Sequence, residues 1–88
     1  MAKITNKYLK SVNQDIAEAL AMFNNPEFVN KIEFFKHIEW QVRDTMLRGA
    51  GVKFGFKGTP ISRYYSTYDE VVRSGISLND VAEIILIK

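Results

Sequence analysis

The run Thr45–Tyr68, TMLRGAGVKFGFKGTPISRYYSTY, decides the fold. Up to Leu47 it carries the end of an apolar helical pattern. Gly49 then offers the left-handed conformation that closes helices. From Val52 to Lys57 the period changes to alternation, with Val52, Phe54 and Phe56 on one side and Lys53, Gly55 and Lys57 on the other. That is strand periodicity. Gly58-Thr59-Pro60 is turn chemistry, and Ile61–Tyr65 is β-prone and reads as a returning strand. Pro60 has no N–H to give a ladder, so it belongs at the turn or on an edge.

Upstream, Thr5–Phe23 reads as an amphipathic helix, because Tyr8, Leu9, Val12, Ile16, Ala19, Leu20 and Phe23 recur at helical spacing. Asn24-Asn25-Pro26-Glu27 breaks and restarts it. Asn25 is a cap, Pro26 suits a first helical position and Glu27 favours the positive helix end. The second helix is expected to run from there to about Leu47. The tight connection makes the pair an antiparallel hairpin. Phe28, Ile32, Phe35, Ile38, Val42 and Met46 form the main apolar stripe of the second helix, and Val29, Trp40 and Leu47 form a second line beside it. That line is covered either by the sheet and C-terminal segment or by another copy of the chain. Glu39 falls inside the main stripe. The expected resolution is an ion pair with Arg43 one turn on. The alternative is a carboxylate aimed at a ligand or a tyrosine hydroxyl.

Downstream, Thr67 and Glu70 stand in capping-box spacing and start a short helix that ends at Gly75. Ser77 with Asp80 offers another helix start. Ile84–Ile87 is either the end of that helix or a buried strand, and so short a run does not decide. The sum is one α+β domain over residues 1–88: an N-terminal antiparallel helical hairpin, a small antiparallel β element, and a C-terminal short helix or mixed segment.

Composition narrows the function. The chain is 47% hydrophobic and 12% aromatic, enough for a small core that self-association would help to stabilise. With no cysteine, disulfides, thiolate zinc sites and cysteine nucleophiles are excluded. The lone His37 makes no histidine cluster, so no metal and no cofactor is expected. No apolar run approaches the ~20 residues that cross a bilayer, and the N-terminus has no hydrophobic leader. A cytoplasmic protein with no membrane partner is the expectation. No nucleophile–base constellation is visible, so an enzyme is not expected.

The central run contains no acid. It holds Arg48, Lys53, Lys57 and Arg63, together with Phe54, Phe56, Tyr64, Tyr65 and four of the five glycines. Lys53-Phe54-Gly55-Phe56 resembles the aromatic–Gly–aromatic core of the RNA-recognition-motif signature over four positions. In that family such a strand stacks bases on exposed rings. The position of the signature's preceding glycine holds Lys53 here, and the βαββαβ order of that fold is absent. Arg48-Gly49-Ala50-Gly51 is not a phosphate loop, since the order is helix, glycines, strand. A helix-turn-helix over Thr67–Leu86 would read DNA with a helix lacking any cation before Lys88. The expected function is therefore non-catalytic binding of a phosphate-bearing ligand, nucleic acid or nucleotide, through Arg48, Lys53, Lys57, Arg63, Tyr64 and Tyr65. Phe54 and Phe56 would stack if they face outward. If they face the helices, the lysine side remains. The alternative is a protein-interaction module, an inhibitor or assembly subunit, that uses the same aromatic stretch. Either form is expected to be a homo-oligomer.

Overall fold

The structure, a computed structural model, describes residues 4–27, 29 and 31–88. Helix α1 spans Asn6–Phe23, capped by Thr5, whose hydroxyl accepts from the Tyr8 N–H at 3.1 Å. Helix α2 spans Lys31–Leu47. It begins later than Asn25-Pro26 predicts. The Asn25 carboxamide oxygen accepts from the Glu27 N–H at 3.0 Å and closes a local turn there, and such side-chain bonds compete with a helix start. Lys31 then ties the two helices together by donating from Nζ to the Phe23 carbonyl at 2.9 Å. With Gln41 donating to Asp15 at 2.9 Å, this orders α1 and α2 as an antiparallel hairpin.

The apolar stripe of α2 is narrower than its sequence suggests. Ile38, Val42, Thr45 and Met46 are buried, with Phe34 and Phe35 half-buried beside them. Ile32 is 75% exposed, a correction to its expected place in the stripe. It lies about 120° around the helix from Ile38 and lines a surface hollow with Phe23 of α1 and Phe35, where it is left largely uncovered. Phe28, assigned to the same stripe, lies outside the described residues. Val29, Trp40 and Leu47 are exposed, so no described part of the chain covers the second line.

Strand β1 (Gly51–Phe56) is central in a sheet of order β2-β1-β3, with β2 at Ser62–Tyr65 and β3 at Val81–Ile87. Both neighbours run antiparallel to β1. Between β2 and β3 come α3 (Tyr68–Ser74) and a 3-10 turn at Leu78–Asp80. Thr67 caps α3, and Gly75 ends it at φ +70°, as the sequence predicts. The Glu70 carboxylate accepts from the N–H and hydroxyl of Ser66. The predicted second start at Ser77 yields only that 3-10 turn, so the helix-turn-helix over Thr67–Leu86 does not form. Ile84–Ile87 is strand, because Val81–Ile87 pairs with β1 at every residue but Ala82 and buries Val81, Ile84 and Leu86. These three do not share one alternation. An irregularity in the register at Gly55/Phe56 shifts the parity, so that Val81 and Ile84 both point inward.

The helices lie on one face of the sheet. α1 packs along β3, α2 against α1 and the sheet, and α3 against α2 and β2. Ile16, Ile38, Val52 and Val81 are sealed between these layers. The opposite face carries Lys53, Ser62, Tyr64, Glu83, Ile85 and Ile87, all exposed, with no described element over it.

The two edges of the sheet are finished differently. At β3, the Asn13 carboxamide of α1 donates to the Leu86 carbonyl at 3.0 Å and accepts from the Leu86 N–H at 2.7 Å. One side chain thus occupies both backbone groups where another strand would dock. Among the described residues nothing comparable lies along β2.

Candidate functional site

Strand register decides where the predicted site residues go. Lys53 stands opposite Tyr64 and Ile85, and Phe54 stands opposite Arg63 and Ile84. Directly opposed residues share a face. Lys53 and Tyr64 therefore lie on the open face, and Arg63 and Tyr65 on the helix side. Phe54 is 2% exposed and meets Tyr65 edge-on, 5.8 Å between centroids, which leaves no ring face for a base. Phe56 is half-buried against the core. The phenylalanines thus face the helices, as alternation with one buried side requires.

The cations do not converge. The Arg48 Nε lies 3.2 Å from Asp44, and the guanidinium lies 5.8 Å from the Tyr8 ring centroid, at the end of α2. The Lys57 ammonium donates to the Asn24 side-chain oxygen at 2.7 Å and the Asn79 carbonyl at 2.9 Å. It fastens the end of α1 to the 3-10 turn and does not share a surface with Lys53. Among the described residues, Lys53 and Arg63 have no ion-pair or hydrogen-bond partner, but they lie on opposite faces of the sheet.

Tyr64 has a structural task on the open face. A Cβ at Gly51 would stand 2.6 Å from its ring carbon Cζ, so the ring lies directly across the glycine. Glycine is what permits that approach. Tyr65, on the other side, lines a groove of about 320 Å³ between β2 and the end of α3, with Phe56, Ile61, Arg63 and Ile76.

Glu39 forms no ion pair with Arg43 among the described residues. It lies instead at a hollow of about 230 Å³ between α2, α3 and β1, lined by Phe35, Ile38, Val42, Tyr68 and Val71 among others. Burial raises the Tyr68 pKa above its ordinary value, the Glu39 charge adds to that, and Arg43 opposes it. Glu39 and Tyr68 thus line the same hollow, and among the described residues no hydrogen bond joins them. Among the described residues, no group of three or more His, Cys, Asp or Glu is placed to hold a metal ion. No helix among them is long and apolar enough to cross a membrane.

Asn13 was not singled out by its sequence context, yet a signal existed. It stands four residues after Leu9 and three before Ile16, on the buried side of α1. A polar side chain there costs free energy unless it is hydrogen-bonded. The chain matches no family model, no curated protein and no solved structure.

Proposed function

We propose that this protein is a non-catalytic interaction module that binds another protein chain through the outer face of α2. One observation carries the reading. Trp40 and Leu47, one above the other on that face, are 59% and 64% exposed, while the cations of the alternative site are paired or separated. Aromatic residues in such positions dominate binding energy when a partner buries them. The same face is the expected contact in a homo-oligomer. Cross-linking in the native cell extract, followed by mass spectrometry, tests the proposal. The wild-type chain is expected to carry a protein cross-link from α2 that Leu47→Glu loses. Recovery of only nucleic acid or a phosphorylated small molecule, or cross-links indifferent to Leu47→Glu, would overturn it.

A phosphate-bearing ligand remains the second reading, supported by Lys53, which is unpaired beside Tyr64 on an open sheet face. Nucleic acids stack on such faces. Glu83 on the same face weakens the attraction. Binding of single-stranded oligonucleotide that falls steeply with salt and is lost in Lys53→Glu is the expected signature.

A further inference from the structure

We propose that the free edge of β2 takes up an extended acidic peptide as a fourth strand, with a carboxylate against Arg63. This adds a second surface to the interaction-module reading and names the chemistry of its partner.

The argument starts from backbone parity. The N–H and C=O of Leu86 go to Asn13, so they point away from β1. Its opposite number Val52 therefore points its own backbone groups toward β2, and so does Phe54, two residues on. Their partners Tyr65 and Arg63 point back toward β1. By alternation the N–H and C=O of Ser62 and Tyr64 face out of the sheet. Among the described residues none of these groups has a hydrogen-bond partner. The edge stops just beyond, where Ser66 gives its N–H to Glu70 at 3.4 Å. Peptides add to such an edge through main-chain bonds, and alternate side chains confer specificity.

Specificity comes from the helix side of β2. An added strand would send alternate side chains into the groove between β2 and the end of α3. Ile61, Tyr65 and Ile76 offer apolar contact there, and Arg63 is exposed and unpaired. The strand itself, Ser62-Arg63-Tyr64-Tyr65, has no acid. Antiparallel pairing of two copies about Arg63 would set like charges opposite each other, which is unfavourable. An acidic strand gains where a second copy loses. At the other edge Asn13 takes the Leu86 groups and α1 packs along β3, which disfavours docking there.

The test uses a fluorescein-labelled hexapeptide, Thr-Val-Thr-Asp-Thr-Val, and the same peptide with Lys for Asp, read by anisotropy at low salt. The Asp peptide is expected to bind several-fold more tightly, and Arg63→Glu is expected to reverse that order. Ser62→Pro, at the first residue of an edge strand where proline is tolerated, is expected to abolish binding with an unchanged circular-dichroism spectrum. If that variant fails to fold, the Asp peptide N-methylated along its backbone is expected not to bind the wild type. Amide shifts on binding are expected at Ser62 and Tyr64. No binding by either peptide, an unchanged preference in Arg63→Glu, or shifts centred on α2 or β3 would overturn the proposal. So would dimerisation through β2 without peptide, which would assign the edge to a second copy. The assay does not involve Trp40 and Leu47, so its failure leaves the α2 reading standing.

Discussion

Ile32 and Ile38 are the same residue type on the same helix, and their surroundings set their worth. Ile38 is sealed at 0% exposure, so Ile38→Ala is expected to cost about 2–5 kcal/mol in transfer energy and cavity. Ile32→Ala is expected to stay within about 0.5 kcal/mol. Urea midpoints compare the two directly. Tyr68 gives a pH prediction. Its folded pKa is raised above 10.0, so the folded state holds the proton longer than the unfolded state does. Its contribution to stability is present in full below pH 10.0 and is lost as pH rises through the folded value. Melting temperature followed from pH 8.5 upward is expected to fall less in Tyr68→Phe than in the wild type. At Gly51, a methyl group must displace the Tyr64 ring. Gly51→Ala is expected to shift the ring resonances of Tyr64 and cost about 0.2–1 kcal/mol, the scale of a cross-strand contact. The same cost is expected to vanish in Tyr64→Ala.

At the scale of elements, α1, β1, β2 and α3 were legible because each has a local cause: a regular period, a cap or a turn. The start of α2 was not, because the bond from Asn25 to the Glu27 N–H competes with the cap that the same residues suggest. β3 was ambiguous because its strand state depends on pairing with β1, a non-local fact. Two side chains join elements in ways that periodicity does not reveal. Lys57 read as a free cation, yet it fastens α1 to the 3-10 turn. Lys57→Met keeps much of the side-chain length but loses both hydrogen bonds, and is expected to lower the melting temperature measurably. Asn13→Ala is expected to cost about 1–3 kcal/mol, from backbone groups of Leu86 left without partners. Hydrogen exchange at the Leu86 amide would report it, and the variant is expected to aggregate more readily through the opened edge.

For the whole molecule, the candidate site was legible in composition but not in arrangement. An acid-free run of cations and aromatics is continuous in sequence, but a strand sends consecutive residues to opposite faces. Folding therefore divides it: Lys53 and Tyr64 to one side, Arg63 and Tyr65 to the other, Lys57 and Arg48 to partners of their own. The apolar line of Trp40 and Leu47 survived because helical spacing keeps such residues together. Light scattering over a dilution series is expected to show a mass above the 10.1 kDa of one chain, and Leu47→Glu is expected to return it to that value. Salt is expected to change this equilibrium little, since the contact is mainly apolar.

The bond between Asn13 and Leu86 joins residues 73 positions apart. The central strand meets one of its two neighbours only when Val81–Ile87 is present. A chain cut short after β1 therefore exposes hydrophobic surface that nothing covers. The hairpin of helices waits, and the last strand completes the core and the Asn13 clasp together. Such closure of a long loop is slow relative to local structure. Chains truncated before Val81 are accordingly expected to be open to protease, and chains that include Ile87 to resist it.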